Sequence, residues 1–285
     1  MEPVVNTREE RYAQILEEGK APIREAWYKG NELFSLFMNA SSVSIPEAER
    51  MVLRTVQEAA AWHDLSAMRR EVDNIIHEET AHSNVHDAYN YYLCRTGLVI
   101  EPHIRRVVRI GEFLEKHFAL KTRLAMCAVI EHFTATMSKQ ILDTGIFEGK
   151  GVDERMDRVW TWHAIEELDH RSTVYDIYLA LGGGYWRRAF AALVMGVIFL
   201  GLMASCLPDL MRQRKVLWNV LVWKKGLPML FGKRGVYRHV ILYWLWLFKP
   251  NFHPTSVEIS NTIKKQLHHY HIEDELIEYF KTAVV

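Results

Sequence analysis

The stretch from Trp162 to Arg171 constrains the fold most, because it places three candidate metal ligands on one face of a predicted helix. The surrounding sequence contains no proline or glycine and predicts a helix over about residues 153–181. At 100° per residue, His163, Glu167 and His170 fall within one narrow arc. Two imidazoles and a carboxylate on one face are typical of a metal-binding helix.

A second stretch repeats this arrangement. Glu79, His82 and His86 share one face of another predicted helix by the same geometry. The element common to both stretches is Glu-x-x-His. Taken alone, this motif is more often a solvated pair than a ligand set, so its meaning depends on the neighbouring helices.

A further carboxylate lies on the predicted helix before each copy. Glu49 is thirty residues before Glu79, and Glu131 is thirty-six residues before Glu167. The order Glu, Glu-x-x-His, Glu, Glu-x-x-His is the ligand set of ferritin-like carboxylate proteins, which hold two metal ions in a bundle core. We therefore predict an all-α fold: a ferritin-like four-helix bundle with additional C-terminal apolar helices.

Charge supports the assignment of two metal ions. The predicted ligands are Glu49, Glu79, His82, His86, Glu131, His163, Glu167 and His170. The four carboxylates carry −4, which two divalent cations balance, whereas without metal one or more would take up a proton. Glu131 lies in the apolar run 124–137, where a charge is costly unless it is paired, protonated or bound to metal; a satisfied core acid is the alternative.

Several roles stay open at this stage. Residues that could contact the ligands from outside are Glu47, Tyr89, Asn90, His132 and Glu166. Glu47 is also an alternative to Glu49 as the metal ligand from this helix. Either acid could instead only stabilise the start of the helix. His86 and His163 either bind metal or hydrogen-bond the ligand carboxylates. Glu78 points about a quarter turn away from Glu79 and is not a predicted ligand.

The remaining helices are predicted from periodicity and capping signals. They cover about residues 8–29, 66–95 (with Gly97 as the terminating glycine) and 104–117, and the tail from 256 is also predicted to be helical. Ser44 and Glu47 have capping-box spacing around Pro46. Either a helix begins there and runs to about residue 63, or a longer helix kinks at Pro46.

Composition narrows the functional classes. Lys plus Arg and Asp plus Glu both number 35, so no nucleic-acid partner is indicated. Cys94, Cys127 and Cys206 are isolated and form no Cys-x-x-Cys motif, which favours a reduced, cytoplasmic compartment. The first eleven residues hold no apolar signal core. We divide the chain into an N-terminal helix (1–30), a di-metal bundle (31–184) and a C-terminal helical layer (185–285).

The C-terminal layer contains nineteen consecutive residues, 189–207, without a charge. This segment is long enough to span a bilayer, and tryptophans beside Lys and Arg follow it. Three interpretations stay open: helices packed on the bundle or roofing an apolar tunnel, association with a membrane surface, and a true span. We expect a cytoplasmic protein, and the C-terminal layer adds the inner-membrane surface as a further candidate location and partner.

These motifs resemble a known bacterial family. The segments that carry the resemblance are 37–40, Pro46 to Arg50, Glu79 to His86 with 89–90, 131–135, Trp162 to Arg171 and 252–254. The chain is similar to the proteins grouped as predicted metal-dependent hydrolases over about residues 30–255. The resemblance implies a ferritin-like fold with a dinuclear site. The chain departs from it at Glu78, where Gln is expected, and at Asp169, where Glu is usual.

The family name implies hydrolysis, but the ligand set resembles that of oxygen-activating di-iron proteins, and we weight the ligands above the name. The first functional hypothesis is a di-iron or Fe/Mn oxidase or oxygenase that uses O₂ on a small, largely apolar substrate. No flavin, nicotinamide or iron–sulfur motif is present, so electrons would come from an external reductase. The alternatives are a two-metal hydrolase and a membrane-associated binding protein without catalysis.

Overall fold

Apolar residues at helical spacing dominate the chain, and the computed structural model is accordingly all-α over the residues it describes, 23–147 and 149–259. The helices are α1 (Glu32–Trp62), α2 (Arg69–Arg95), α3 (Glu101–His117), α4 (Leu120–Thr144), α5 (Glu154–Asp169), α6 (Thr173–Ala180), α7 (Tyr185–Gln213), α8 (Val220–Phe231) and α9 (Val240–Trp246). Short 3-10 turns occupy Ser66–Met68 and Pro254–Ser256. The predicted fold class is confirmed.

Four helices form the bundle that positions the site. α1 packs along α2, α4 packs along α5, and the two pairs contact each other through α1 with α4 and α2 with α5. α3 lies against α1, while α7, α8 and α9 form a layer over α1 and α4. α8 approaches α1 so closely that a Cβ on Gly226 would lie 2.3 Å from Leu33 Cβ, which explains the glycine.

Helix α1 decides between the two interpretations of the sequence around Pro46. Its cap is Asn31, whose side chain accepts a hydrogen bond from the Phe34 N–H, and the helix then continues through Pro46 to Trp62. The longer helix is therefore the correct alternative. At the end of α2, Gly97 has φ +86°, which confirms the predicted terminating glycine.

The single helix predicted over 153–181 is wrong, because α5 ends at Asp169 and α6 begins at Thr173. His170 leaves the helical conformation (φ −97°, ψ 9°). Asp169, His170, Ser172 and Thr173 have weak helix propensity, and both nitrogens of the His170 ring lie against carboxylates of the bundle. Tertiary contacts of His170 therefore end the helix at a point where the local helix propensity is weak.

The chain ends differ in part from the prediction. Residues 23–30 form turns and an isolated bridge between Tyr28 and Val152, so this part of the predicted 8–29 helix is not helical. The remainder of that helix, and the tail beyond residue 259, lie outside the described residues.

Candidate metal centre

Seven of the eight predicted ligands converge in the bundle core. Their ligand atoms form three overlapping groups, each with all atoms within 4.8 Å of one another. The groups are Glu49–His82–His163–Glu167, Glu79–His82–Glu167–His170 and Glu49–Glu79–Glu131. Glu49 comes from α1, Glu79 and His82 from α2, Glu131 from α4, and the others from α5 and its end. All seven side chains are buried.

The atoms that face the centre lack ordinary hydrogen bonds. Both oxygens of Glu79, Oε2 of Glu131, Oε1 of Glu167, Nδ1 of His82 and Nε2 of His170 are buried without a hydrogen-bond partner. Glu79 Oε1 lies 2.8 Å from His170 Nε2, yet the pair is not aligned as a hydrogen bond. Buried polar groups are normally satisfied, so orphaned atoms converging on shared points fit metal ions.

Two outer carboxylates orient the histidines. His82 Nε2 donates to Glu166 Oε2 (3.0 Å), which leaves Nδ1 facing Glu79 and Glu167. His170 Nδ1 donates to Glu78 Oε2 (2.6 Å), which leaves Nε2 facing Glu79, Glu131 and Glu167. A metal-binding imidazole typically has its second nitrogen held by a carboxylate in this way. Glu166, one of the residues predicted to contact the ligands from outside, therefore lies against His82.

Protons take the place of cationic charge in the metal-free centre. Burial opposes protonation of His82, but the hydrogen bond to Glu166 and the nearby carboxylate of Glu79 raise its pKa to about 10. Although burial opposes it, the negative charge of Glu79 likewise raises the pKa of His170 well above its usual value. Burial and the charge of Glu79 raise the pKa of Glu131. The excess of carboxylates thus requires positive charge from either protons or metal.

His86 lies beside the centre but belongs to none of the three groups. Its Nδ1–H donates to Ser42 Oγ (2.9 Å), and the Ser42 hydroxyl donates to Asn90 Oδ1 (3.0 Å). Nε2 of His86 is therefore the unprotonated nitrogen, and it is buried without a hydrogen-bond partner. The ring packs edge-on against that of His163, with 4.9 Å between centroids. Burial and the neighbouring histidines lower the pKa of His86 well below its usual value.

Three of the predicted outer residues have other contacts. Glu47 pairs with Arg54 (2.6 Å) rather than with a ligand, since it points toward α3, where it approaches Gly111. His132 Nε2 donates to the Tyr243 carbonyl (2.9 Å), because a single step along α4 turns it from the core toward α9. The Tyr89 hydroxyl donates to Asn39 (2.7 Å), while its ring stacks on His86.

Sequence reasoning missed three residues that contact the ligands: Ser42, Glu78 and Thr134. Glu78 is buried against His170 although it lies beside Glu79 on α2. Thr134 lies on α4 and donates a short hydrogen bond to Glu167 Oε2. Its position three residues after Glu131, nearly one turn along the helix, is the signal that could have identified it.

An apolar cavity of about 120 Å³ adjoins the centre. Glu49 and His163 belong to its wall, so the cavity reaches two residues of the ligand groups. The rest of the wall is largely apolar and includes Met51, Ile110, Phe133, Met195, Phe199 and Trp244. α7 and α9 therefore help to enclose the space next to the centre.

The fold and the site together define a helical-bundle protein with a buried carboxylate–histidine centre able to hold divalent metal. The chain belongs to the family described as predicted metal-dependent hydrolase, whose model matches residues 16–258. Neither the curated proteins nor the solved structures yielded a match.

Proposed function

We propose that the protein is a hydrolase that uses two divalent metal ions to cleave a small, largely apolar substrate. The observation that carries this proposal is the set of three overlapping ligand groups beside an apolar cavity. The family description supports hydrolysis over the oxygen chemistry that the ligand set alone suggested.

The chain's residues divide into three tasks under this proposal. Glu79, Glu131 and His170 would hold one ion, Glu49 and His163 the other, with His82 and Glu167 lying within reach of both. Divalent ions there would lower the pKa of a water molecule and polarise the bond to be cleaved. Glu78 and Glu166 keep the unprotonated nitrogens of His170 and His82 turned toward the ions.

The cavity supports an apolar substrate class. Its wall offers apolar side chains from several helices and few polar groups besides those at the metal end. An apolar substrate would gain free energy by leaving water for this space, and its polar, cleavable bond would lie next to Glu49 and His163. Exclusion of bulk water strengthens electrostatic interactions at that end.

The test is metal reconstitution followed by anaerobic turnover. Protein loaded separately with Zn²⁺, Mn²⁺ and Fe²⁺ is analysed for metal content and assayed against esters and amides of increasing acyl length. We expect close to two ions per chain and hydrolysis without O₂, both lost in Glu131→Gln and retained in a matched variant of an exposed acid, Glu71→Gln. Less than about half an ion per chain would reject the dinuclear centre.

A second candidate is a di-iron or Fe/Mn oxidase, because carboxylate-rich ligation with few imidazoles suits iron and manganese. It needs O₂ and an external electron donor. Addition of O₂ to the Fe²⁺-loaded protein should then consume O₂ and develop near-ultraviolet absorbance. O₂ consumption without anaerobic hydrolysis would favour this candidate over the hydrolase.

A further inference from the structure

The outer face of α7 is an exposed apolar stripe. Its members are Trp186, Phe190, Leu193, Val197 and Leu200, all with large exposed fractions, 72 % for Val197. Their spacings of four, three, four and three residues confine them to an arc of roughly 80°. The opposite face of the same helix, with Ala191 and Met195, is buried on the bundle.

α8 and α9 extend this apolar surface. Trp244 of α9 packs on α7, where a Cβ added to Gly196 would meet it at 3.0 Å, so α9 lies alongside α7. α9 exposes Ile241, Leu242 and Leu245, and α8 exposes Val220, Leu221, Leu227 and Phe231. Phe231 stacks on Tyr237, whose ring contacts Phe199 of α7. We call these exposed side chains of the three helices the outer apolar face.

The segment that carries this face is strongly basic. Residues 184–257 contain eleven Lys or Arg and one acidic residue, Asp209, in a chain whose Lys plus Arg and Asp plus Glu are equal. The exposed basic side chains are those of Arg187, Arg212, Lys215, Lys224, Lys225, Lys233, Arg234, Arg238 and Lys249. Because acidic residues are almost absent, this segment has a formal net charge of +10 (eleven basic minus one acidic), and it also carries the outer apolar face.

Tryptophans occupy the borders of the face. Trp186 at the start of α7 is 82 % exposed, and Trp218 after its end is 89 % exposed. Each lies within three residues of an exposed basic side chain, Arg187 or Lys215. Lys249 Nζ lies 3.8 Å above the Trp246 ring. Tryptophan beside Lys and Arg is characteristic of the boundary between lipid headgroups and acyl chains.

α7 is long and apolar enough to cross a membrane by length and composition, but polar contacts to neighbouring segments hold it at both ends. Near its start, buried Arg188 donates to the carbonyls of Leu247 and Lys249. Near its end, Asp209 accepts from His103 (2.9 Å), and Gln213 pairs with the Val99 backbone. The helix therefore presents one side outward rather than its whole circumference.

We propose that the outer apolar face docks on the surface of an anionic phospholipid bilayer, with α7 lying in the membrane plane. Apolar side chains would enter the acyl boundary while the basic residues contact acidic headgroups. A second copy of the chain fits less well, because pairing two such faces would bring their basic residues together. The proposal does not depend on the reaction at the metal centre.

Flotation of the full-length, metal-loaded protein with lipid vesicles tests the proposal. We expect binding to phosphatidylcholine vesicles that contain about one-third phosphatidylglycerol, at least tenfold weaker binding to pure phosphatidylcholine, and weakening by salt. Leu193→Glu/Val197→Glu should reduce binding at least tenfold, as should Lys224→Glu/Lys225→Glu. The matched control is Tyr91→Glu, which changes an exposed ring on α2 and should bind like the wild type.

Circular dichroism and metal content identify variants that fail to fold. If Leu193→Glu/Val197→Glu does not fold, the double variant Leu193→Ser/Val197→Ser is tested in its place. The proposal is overturned if the wild type floats with neither vesicle, or binds neutral and anionic vesicles equally. It is also overturned if light scattering shows a stable dimer that the Leu193/Val197 variants dissociate while vesicle binding is absent.

Discussion

The side-chain amide of Asn90 donates a 3.0 Å hydrogen bond to the backbone carbonyl of Ser42. In a regular helix that carbonyl would accept from the N–H of residue 46, but Pro46 has none. Asn90 thus supplies the missing donor, and its Oδ1 accepts from the Ser42 hydroxyl that holds His86. One amide therefore links the proline of α1 to the orientation of a histidine on α2.

This relationship predicts a coupling between Asn90 and Pro46. Asn90→Ala leaves the buried Ser42 carbonyl without a donor and should lower the free energy of unfolding by about 1–3 kcal/mol. In a Pro46→Ala background the restored N–H satisfies the carbonyl, so the cost should fall by about 1 kcal/mol or more. Denaturant unfolding of the four proteins measures the coupling. Equal costs in both backgrounds would contradict it.

The spacing of the ligands could be predicted because helical periodicity alone decides which side chains share a face. Glu79 with His82, and His163 with Glu167 and His170, converge for that reason. Contacts between helices could not be predicted in this way. Glu78 reaches His170 and Glu47 turns to Arg54 because of how α2 and α1 pack. These contacts depend on tertiary distances that a single sequence does not encode locally.

The fold likewise contains features that local sequence predicts and features that depend on contacts between helices. The all-α class and the end of α2 at Gly97 follow from apolar periodicity and from glycine's tolerance of positive φ. The break between Asp169 and Thr173 does not, because His170 is held by carboxylates from α2 and α4.

Glu78 should matter as a hydrogen-bond acceptor rather than as a charge. Glu78→Gln keeps an oxygen for the His170 Nδ1–H, so metal affinity should stay within about threefold, whereas Glu78→Ala should lower it about ten- to hundredfold. Competition with a chromophoric chelator measures both affinities. Glu71→Ala, an exposed glutamate on the same helix, is the control. Wild-type affinity in Glu78→Ala would remove this residue from the centre's support.

Metal binding should release protons. His82, whose pKa is raised to about 10, is protonated at pH 7 before metal arrives, and the pKa shifts of His170 and Glu131 are also upward. Because bound protons compete with metal, affinity should increase as pH rises from about 6 to 8. Calorimetry in buffers of different ionisation enthalpy should report about two or more protons released per chain.

Glu166→Gln is the internal check on that result. It removes the charge that contributes to the high pKa of His82 while leaving an acceptor for Nε2. The number of protons released should then fall, since His82 would be less fully protonated at the outset. Binding enthalpies that do not vary with the buffer would show that metal binding releases no net protons and would contradict the prediction.

Replacement of His163 and replacement of His86 should have different effects on metal content. His163 Nε2 lies 3.1 Å from Glu167 Oε1 and within a ligand group, whereas His86 is anchored to Ser42 outside all three groups. His163→Ala should therefore lower metal content by about half or more. His86→Ala should retain the metals but reduce activity, because the His163 ring loses its edge-on neighbour.

Elemental analysis and the spectrum of the Fe- or Co-substituted protein distinguish these outcomes. His132→Ala is the matched control, since it removes an equally buried imidazole that faces the Tyr243 carbonyl instead of the centre. This variant should be less stable, because the shorter side chain leaves a cavity, but it should keep full metal content and an unchanged spectrum. Loss of metal in His86→Ala comparable to that in His163→Ala would instead indicate that the unpartnered Nε2 of His86 is a direct ligand.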